Sequence, residues 1–194
     1  MDINGAKQFI LQKQEEELPK HLTYHSINHI KDVYNAVCRH IEAANITGDD
    51  AILLQTAALF HDSGFMVQAQ GHEEISCGFA KEYLPGFGYS QSRIDAICGM
   101  IRATKIPQIP HTPLEEILAD ADLDYLGRDD FQPISNSLFE ELKNMGVVDS
   151  EAAWNQMQVR FFESHHYFTA NAKAWREAKK QENLNTIIQK LTNQ

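Results

Sequence analysis

Residues 47–64 read TGDDAILLQTAALFHDSG, and this stretch decides how the rest of the chain is understood. Thr47 is a residue type that caps helix N-termini, Asp49 and Asp50 suit a first turn, and Gly64 is a stop signal. A helix is therefore expected from Asp49 to Asp62. Its apolar run Ala57-Ala58-Leu59-Phe60 closes on His61-Asp62. An ionised Asp placed deep in such a helix is costly unless it is paired or bound to a cation. The plainer reading is a histidine favoured by the helix dipole and an aspartate turned to solvent.

The same helical spacing recurs outward in both directions. Segments at about 6–18, 27–44, 72–84 and 90–104 carry apolar residues at steps of three and four, with Ile30, Val33, Val37 and Ile41 as the clearest example. Pro107 and Pro110 make 105–111 a loop. Thr112-Pro113-Leu114-Glu115 then reads as N-cap, first-turn proline and the acid of a capping box, opening a helix expected to reach Gly127. Three more helical stretches follow at about 132–144, 151–164 and 170–191. No alternating strand pattern occurs, so the expected fold is all-α, a single domain over 1–194.

Composition narrows the function classes. The 194 residues carry 27 acidic against 17 basic side chains, a net charge of -10, and no basic arm. Nucleic-acid and anionic membrane partners, which need clustered Lys and Arg, are therefore not expected. Cys38, Cys77 and Cys98 form no CxxC pair and no even framework, so neither a disulfide scaffold nor a thiolate zinc site is indicated. The N-terminal stretch lacks the features of a signal peptide, and no apolar run approaches the ~20 residues of a membrane span. A cytoplasmic protein is the expectation.

Three clusters can carry chemistry. His61-Asp62 is the first. YHSINH at 24–29 is the second, with His25 and His29 four apart and on one helical face if the turn has begun by then. The third is DADLDYLG at 120–127, where Asp120, Asp122 and Asp124 sit inside an apolar helix pattern and would repel one another without a cation. On a regular helix Asp120 and Asp122 are about 200° apart, so one of the two can reach a shared ion and spacing alone does not choose it. A solvated acidic face is the alternative.

Taken together, His29, then His61-Asp62, then the later Ala-Asp segment resemble the HD superfamily of metal-dependent phosphohydrolases. LFHDSG at 59–64 resembles the family's apolar-HD-x-Gly signature. GHEEIS at 71–76 is similar to the HE-x-x-S segment of its small bacterial members, and DADLDYLG to their closing DAD motif. The resemblance spans about 22–128, with 129–194 as a helical extension. It implies His29, His61 and Asp62 as metal ligands, with Asp122 or Asp120 as the fourth. Asp122 is preferred, because Ala121-Asp122-Leu123 is more similar to the segment of the family's cyclic-nucleotide phosphodiesterases.

Two imidazoles and two carboxylates suit one divalent ion, whether Mn, Fe, Ni, Co, Zn or Mg. The resemblance implies a hydrolase that cleaves a phosphoester in a nucleotide or related small phosphate with metal-activated water. His72 and His25 are the candidates for protonating the leaving group, and Glu73, grouped with His72, is otherwise a favourable first-turn acid. Arg102, Lys105 and Tyr125 are candidate substrate-binding residues. Two alternatives remain: a di-iron oxygenase on the same fold, and a non-catalytic metal-stabilised module that binds a nucleotide or protein partner.

Overall fold

The computed structural model of the chain describes residues 1–192. Among these it contains nine α-helices, three short 3-10 turns and no strand, so the fold is all-α. Where the sequence suggested a single domain dividing at 128/129, the backbone groups into two compact units. Met1–Pro19 with His25–Asp122 form the first, and Lys20–Tyr24 join the chain from Leu123 onward in the second.

The first unit is built from α1 (Ile3–Glu17), α2 (Ile27–Ala43), α3 (Gly48–Phe60), α4 (His72–Tyr83), α5 (Gln91–Ala103) and α6 (Pro113–Asp122). Helix α3 is its axis. Leu53, Leu54, Ala57, Ala58, Leu59 and Phe60 are all buried, so the last two turns are covered on every side, as their continuous apolar sequence requires. Val33 and Val37 of α2, Ile97 and Ile101 of α5 and Leu118 of α6 belong to the same core.

Two helices stop earlier than their patterns suggest. Helix α3 ends at Phe60, leaving His61-Asp62 in the turn before a 3-10 segment, Ser63–Met66. Helix α6 ends at Asp122 instead of Gly127, and a 3-10 turn over Asp124–Gly127 begins in the second unit. Asp120, Asp122 and Asp124 therefore do not share one helix. Asp124 is buried and accepts from Arg176 Nε at 2.7 Å and Nη2 at 3.2 Å, a bidentate pairing that fixes its carboxylate. The turn is locked by close approach: a Cβ on Gly127 would lie 2.3 Å from Arg176 O.

In the second unit α7 (Phe131–Asn144), α8 (Glu151–Ser164) and α9 (Ala170–Thr192) gather around Tyr125, Leu126, Phe131, Phe162, Leu184 and Ile187. Glu141 is fully buried and accepts the backbone N–H of Tyr24 at 2.8 Å. No helix among the described residues is long and apolar enough to cross a membrane.

His165 follows the last residue of α8, and its ring lies between Phe161 (centroids 5.9 Å) and Tyr167 (4.8 Å, edge-on). Both ring nitrogens are buried without a hydrogen-bond partner. Burial, with the charges of Lys180 and His166, pushes this imidazole down to about 3. The unfolded chain, with its ordinary value near 6.5, binds the proton more readily, so His165 favours folding above about pH 6.5 and that contribution is lost as pH falls toward 3. We expect the difference in stability between wild type and His165→Phe, read from thermal melts between pH 7 and 4, to move against wild type by up to roughly 1.4 kcal/mol per pH unit. Parallel pH profiles for the two proteins would contradict this.

Candidate metal centre

Four side chains from three points of the first unit converge on one spot. His29 comes from the first turn of α2, His61 and Asp62 from the turn that ends α3, and Asp122 from the last residue of α6. His29 Nε2 lies 3.4 Å from His61 Nε2, 3.3 Å from Asp62 Oδ2 and 3.2 Å from Asp122 Oδ1. His61 Nε2 is 3.3 Å from Asp62 Oδ2 and 3.5 Å from Asp122 Oδ1. Both imidazoles and the Asp62 carboxylate are shielded from solvent.

The orientation of His61 is fixed from behind. Its Nδ1 is 2.7 Å from Ala58 O, and a carbonyl can only accept, so Nδ1 carries a proton and Nε2, turned to the centre, is the atom available to a metal. The Nε2 atoms of His29 and His61 thus lie 3.4 Å apart, and each is 3.2–3.5 Å from an oxygen of Asp62 and one of Asp122. Such a set repels itself unless protons or a cation lie among the atoms. Donors about 2.1 Å from a common ion stand about 3.0 Å apart on an octahedral edge and about 3.4 Å apart on a tetrahedral one, so the spacing fits a divalent metal. His29, His61 and Asp122 form a possible metal-binding triad, and Asp62 Oδ2 lies against both imidazoles.

Protons do this work when no metal is bound. Burial opposes charge on His29, but hydrogen bonds and charge from Asp122 and Asp62 prevail and raise its imidazole to about 9. His61 is likewise lifted well above the ordinary range against its burial, mainly by the charge of Asp62. In return the imidazoles outweigh the burial of Asp122 and hold its carboxyl near 2, and they hold Asp62 well below the carboxylate range.

Beside this cluster lies a stack of three rings. His25 precedes α2 and lies flat on Phe65, with centroids 3.9 Å apart and planes at 17°. Phe65 meets His72 at 4.2 Å. His72, the first residue of α4, has Nδ1 3.0 Å from Ala69 O and Nε2 3.3 Å from Asp62 Oδ1. The two oxygens of Asp62 are therefore divided between the metal cluster and His72. Burial pushes His72 down, but the Asp62 carboxylate prevails and pulls it above its usual value.

Of the remaining candidates, Glu73 is buried in the first turn of α4, its carboxylate 3.9 Å from His72 Nε2 and beyond hydrogen-bond reach. Asp120 is buried on α6, about 200° around the helix from Asp122. Arg102 is committed to Glu74 through two bonds of 2.6 and 2.9 Å. With Lys105, Ile106, Pro107 and Ile109 it lines a cleft of about 400 Å³. Tyr125, offered as a substrate-binding candidate, is a buried core ring of the second unit, stacked on Phe131 with centroids 6.1 Å apart.

Sequence reasoning missed Phe65. It lies in a 3-10 turn, where no periodicity marks it, and its sole signal was an aromatic directly after the His-Asp-Ser-Gly stretch. The spacing of two motifs also acquires a cause. Gly64 N–H donates to Ser76 Oγ at 2.8 Å, and a Cβ on Gly64 would lie 2.1 Å from His72 O, so the start of α4 rests directly on the turn that carries Asp62. Gly64→Ala should cost about 1–3 kcal/mol. Gly78→Ala, inside α4 with open space around it, should be neutral or stabilising by about 0.5–1 kcal/mol. Urea unfolding of both variants checks the contrast, and equal effects would refute it.

No family model matches the chain, and no curated protein matches it in sequence. Among solved structures the fold is similar to that of Bacillus subtilis YpgQ, whose crystal structure is a complex with ADP. The TM-score is 0.65 at 16% sequence identity, over 98% of this chain and 97% of that one. At that identity the likeness establishes the fold.

Proposed function

We propose that the protein is a metal-dependent phosphohydrolase of the HD type that cleaves a phosphoester in a nucleotide or related small phosphate. One observation carries this reading: two imidazoles and two carboxylates gather at one spot, beside a histidine whose Nε2 faces the second oxygen of Asp62. The likeness to a fold crystallised with ADP supports a nucleotide as the substrate class.

His29, His61, Asp62 and Asp122 would hold the divalent ion, whether Mn, Fe, Ni, Co, Zn or Mg, which when bound supplies an acidified water and positive charge for a phosphoryl oxygen. His72 is the general acid. Ala69 O and Asp62 Oδ1 flank both its ring nitrogens, so the imidazolium is favoured and a proton is available to a leaving oxygen. Phe65 packs against the ring, and His25, stacked on Phe65 with its centroid 6.4 Å from that of His72, is the second candidate donor. Lys105, on the rim of the Arg102 cleft, offers charge to a phosphate.

A second reading is favoured by the division of Asp62 between the cluster and His72, which a carboxylate shared by two ions would also show. Two irons per chain with O₂-dependent turnover would replace the hydrolase reading with the oxygenase one.

Elemental analysis followed by a nucleotide and phosphoester panel tests the proposal. We expect about one divalent ion per chain in wild type, loss of the ion in His61→Ala and Asp122→Asn, and retention in Asp120→Asn. His72→Ala should keep the ion and lose about 10²–10⁴-fold in turnover. Full metal occupancy in His61→Ala would overturn the ligand assignment.

Metal loading should also release protons, since the two imidazoles are protonated in the metal-free protein. His29, raised to about 9, stabilises the metal-free fold fully below its unfolded value near 6.5, and that contribution is lost as pH rises through about 9. Metal affinity should therefore climb with pH across this window. Calorimetric titration in buffers of different ionisation enthalpy measures the released protons, and identical heats in all buffers would count against it.

A further inference from the structure

A helix leaves its last carbonyls without backbone partners, and the end of α3 is deep in the core, where water cannot serve them. Side chains do so instead. Ala58 O faces His61 Nδ1 at 2.7 Å, Phe60 O accepts from Ser63 Oγ at 2.7 Å, and Leu59 O accepts from Gln14 Nε2 at 3.1 Å. The first two donors are local. Gln14 is 45 residues away, on α1.

Gln14 is fully buried, and its Oε1 has no hydrogen-bond partner. An amide with one orphaned acceptor in an apolar core is a poor stabiliser, because the gain from its one bond is set against the desolvation of the unpaired oxygen. What the amide does supply is a fixed point of attachment for the carbonyl two residues before His61. We infer that Gln14 is a positioning residue for the metal centre, tethering the end of α3 so that His61 and Asp62 present their donor atoms toward His29 and Asp122. This inference rests on the metal-centre reading above.

The test separates position from stability, with Co²⁺ as the probe of affinity and coordination spectrum. Gln14→Met keeps volume and removes the orphaned acceptor together with the donor, but leaves Leu59 O unpaired, so its melting temperature should fall by an amount comparable to that of Ile10→Val. Its Co²⁺ affinity should fall about 10–100-fold, the loss typical when a residue orienting a ligand is removed. Ile10→Val, buried on the same helix, should lower the melting temperature and leave Co²⁺ affinity unchanged. If Gln14→Met does not fold, Gln14→Asn, which withdraws the amide by one methylene, is read in the same way. Co²⁺ affinity within twofold of wild type in the folded Gln14 variant overturns the inference and leaves the metal centre standing. A wild-type protein that binds no Co²⁺ overturns both.

Discussion

Two imidazoles 3.4 Å apart, each within 3.2–3.5 Å of the same two carboxylates, are the constraint on which the first unit depends. Left to themselves these groups would drive apart, and burial removes the water that would screen them. Protons or a cation must lie between them, and the surrounding structure must resist their separation. The core supplies that resistance. The last turns of α3 are buried all round, α6 ends on the residue that donates its carboxylate, and α2 delivers His29 in its first turn.

The ends of helices, rather than their middles, do this positioning. Each donor lies where regular hydrogen bonding stops or has just begun, so the backbone there must be satisfied by side chains. The centre uses this need for orientation: His61 settles its own tautomer on the carbonyl three residues earlier, as His72 does on Ala69. Ser76 and Gly64 then bring the turn and the start of α4 into contact, which is why His72 reaches the second oxygen of Asp62. One carboxylate is thereby tied to both the candidate metal centre and His72, the two components that the proposed phosphoester hydrolysis would use.

The second unit has its own polar anchors. Asp124 against Arg176 and Glu141 against Tyr24 N–H are buried charges that hold a turn and a strap of chain in fixed positions. Such pairings offset the cost of burying a carboxylate. His165 lacks any such partner, and so remains neutral across the ordinary pH range.

The sequence by itself determined the helical class, because apolar residues at steps of three and four leave no other way to form a core. It also singled out His61 and Asp62, because a histidine-aspartate pair closing an apolar run demands an explanation, and His29 through the family resemblance. Helical spacing could not choose between Asp120 and Asp122, and only the family resemblance favoured Asp122, since two positions about 200° apart on a helix are told apart by what the helix faces. Nor could it end α6 at Asp122: the apolar pattern continues through Tyr125 and Leu126, but those side chains are drawn into a different core. Phe65 and Gln14 were beyond its reach for the same reason. One acts from a 3-10 turn and the other from 45 residues away, and only the packing of α1 against α3 brings that amide to the carbonyl of Leu59.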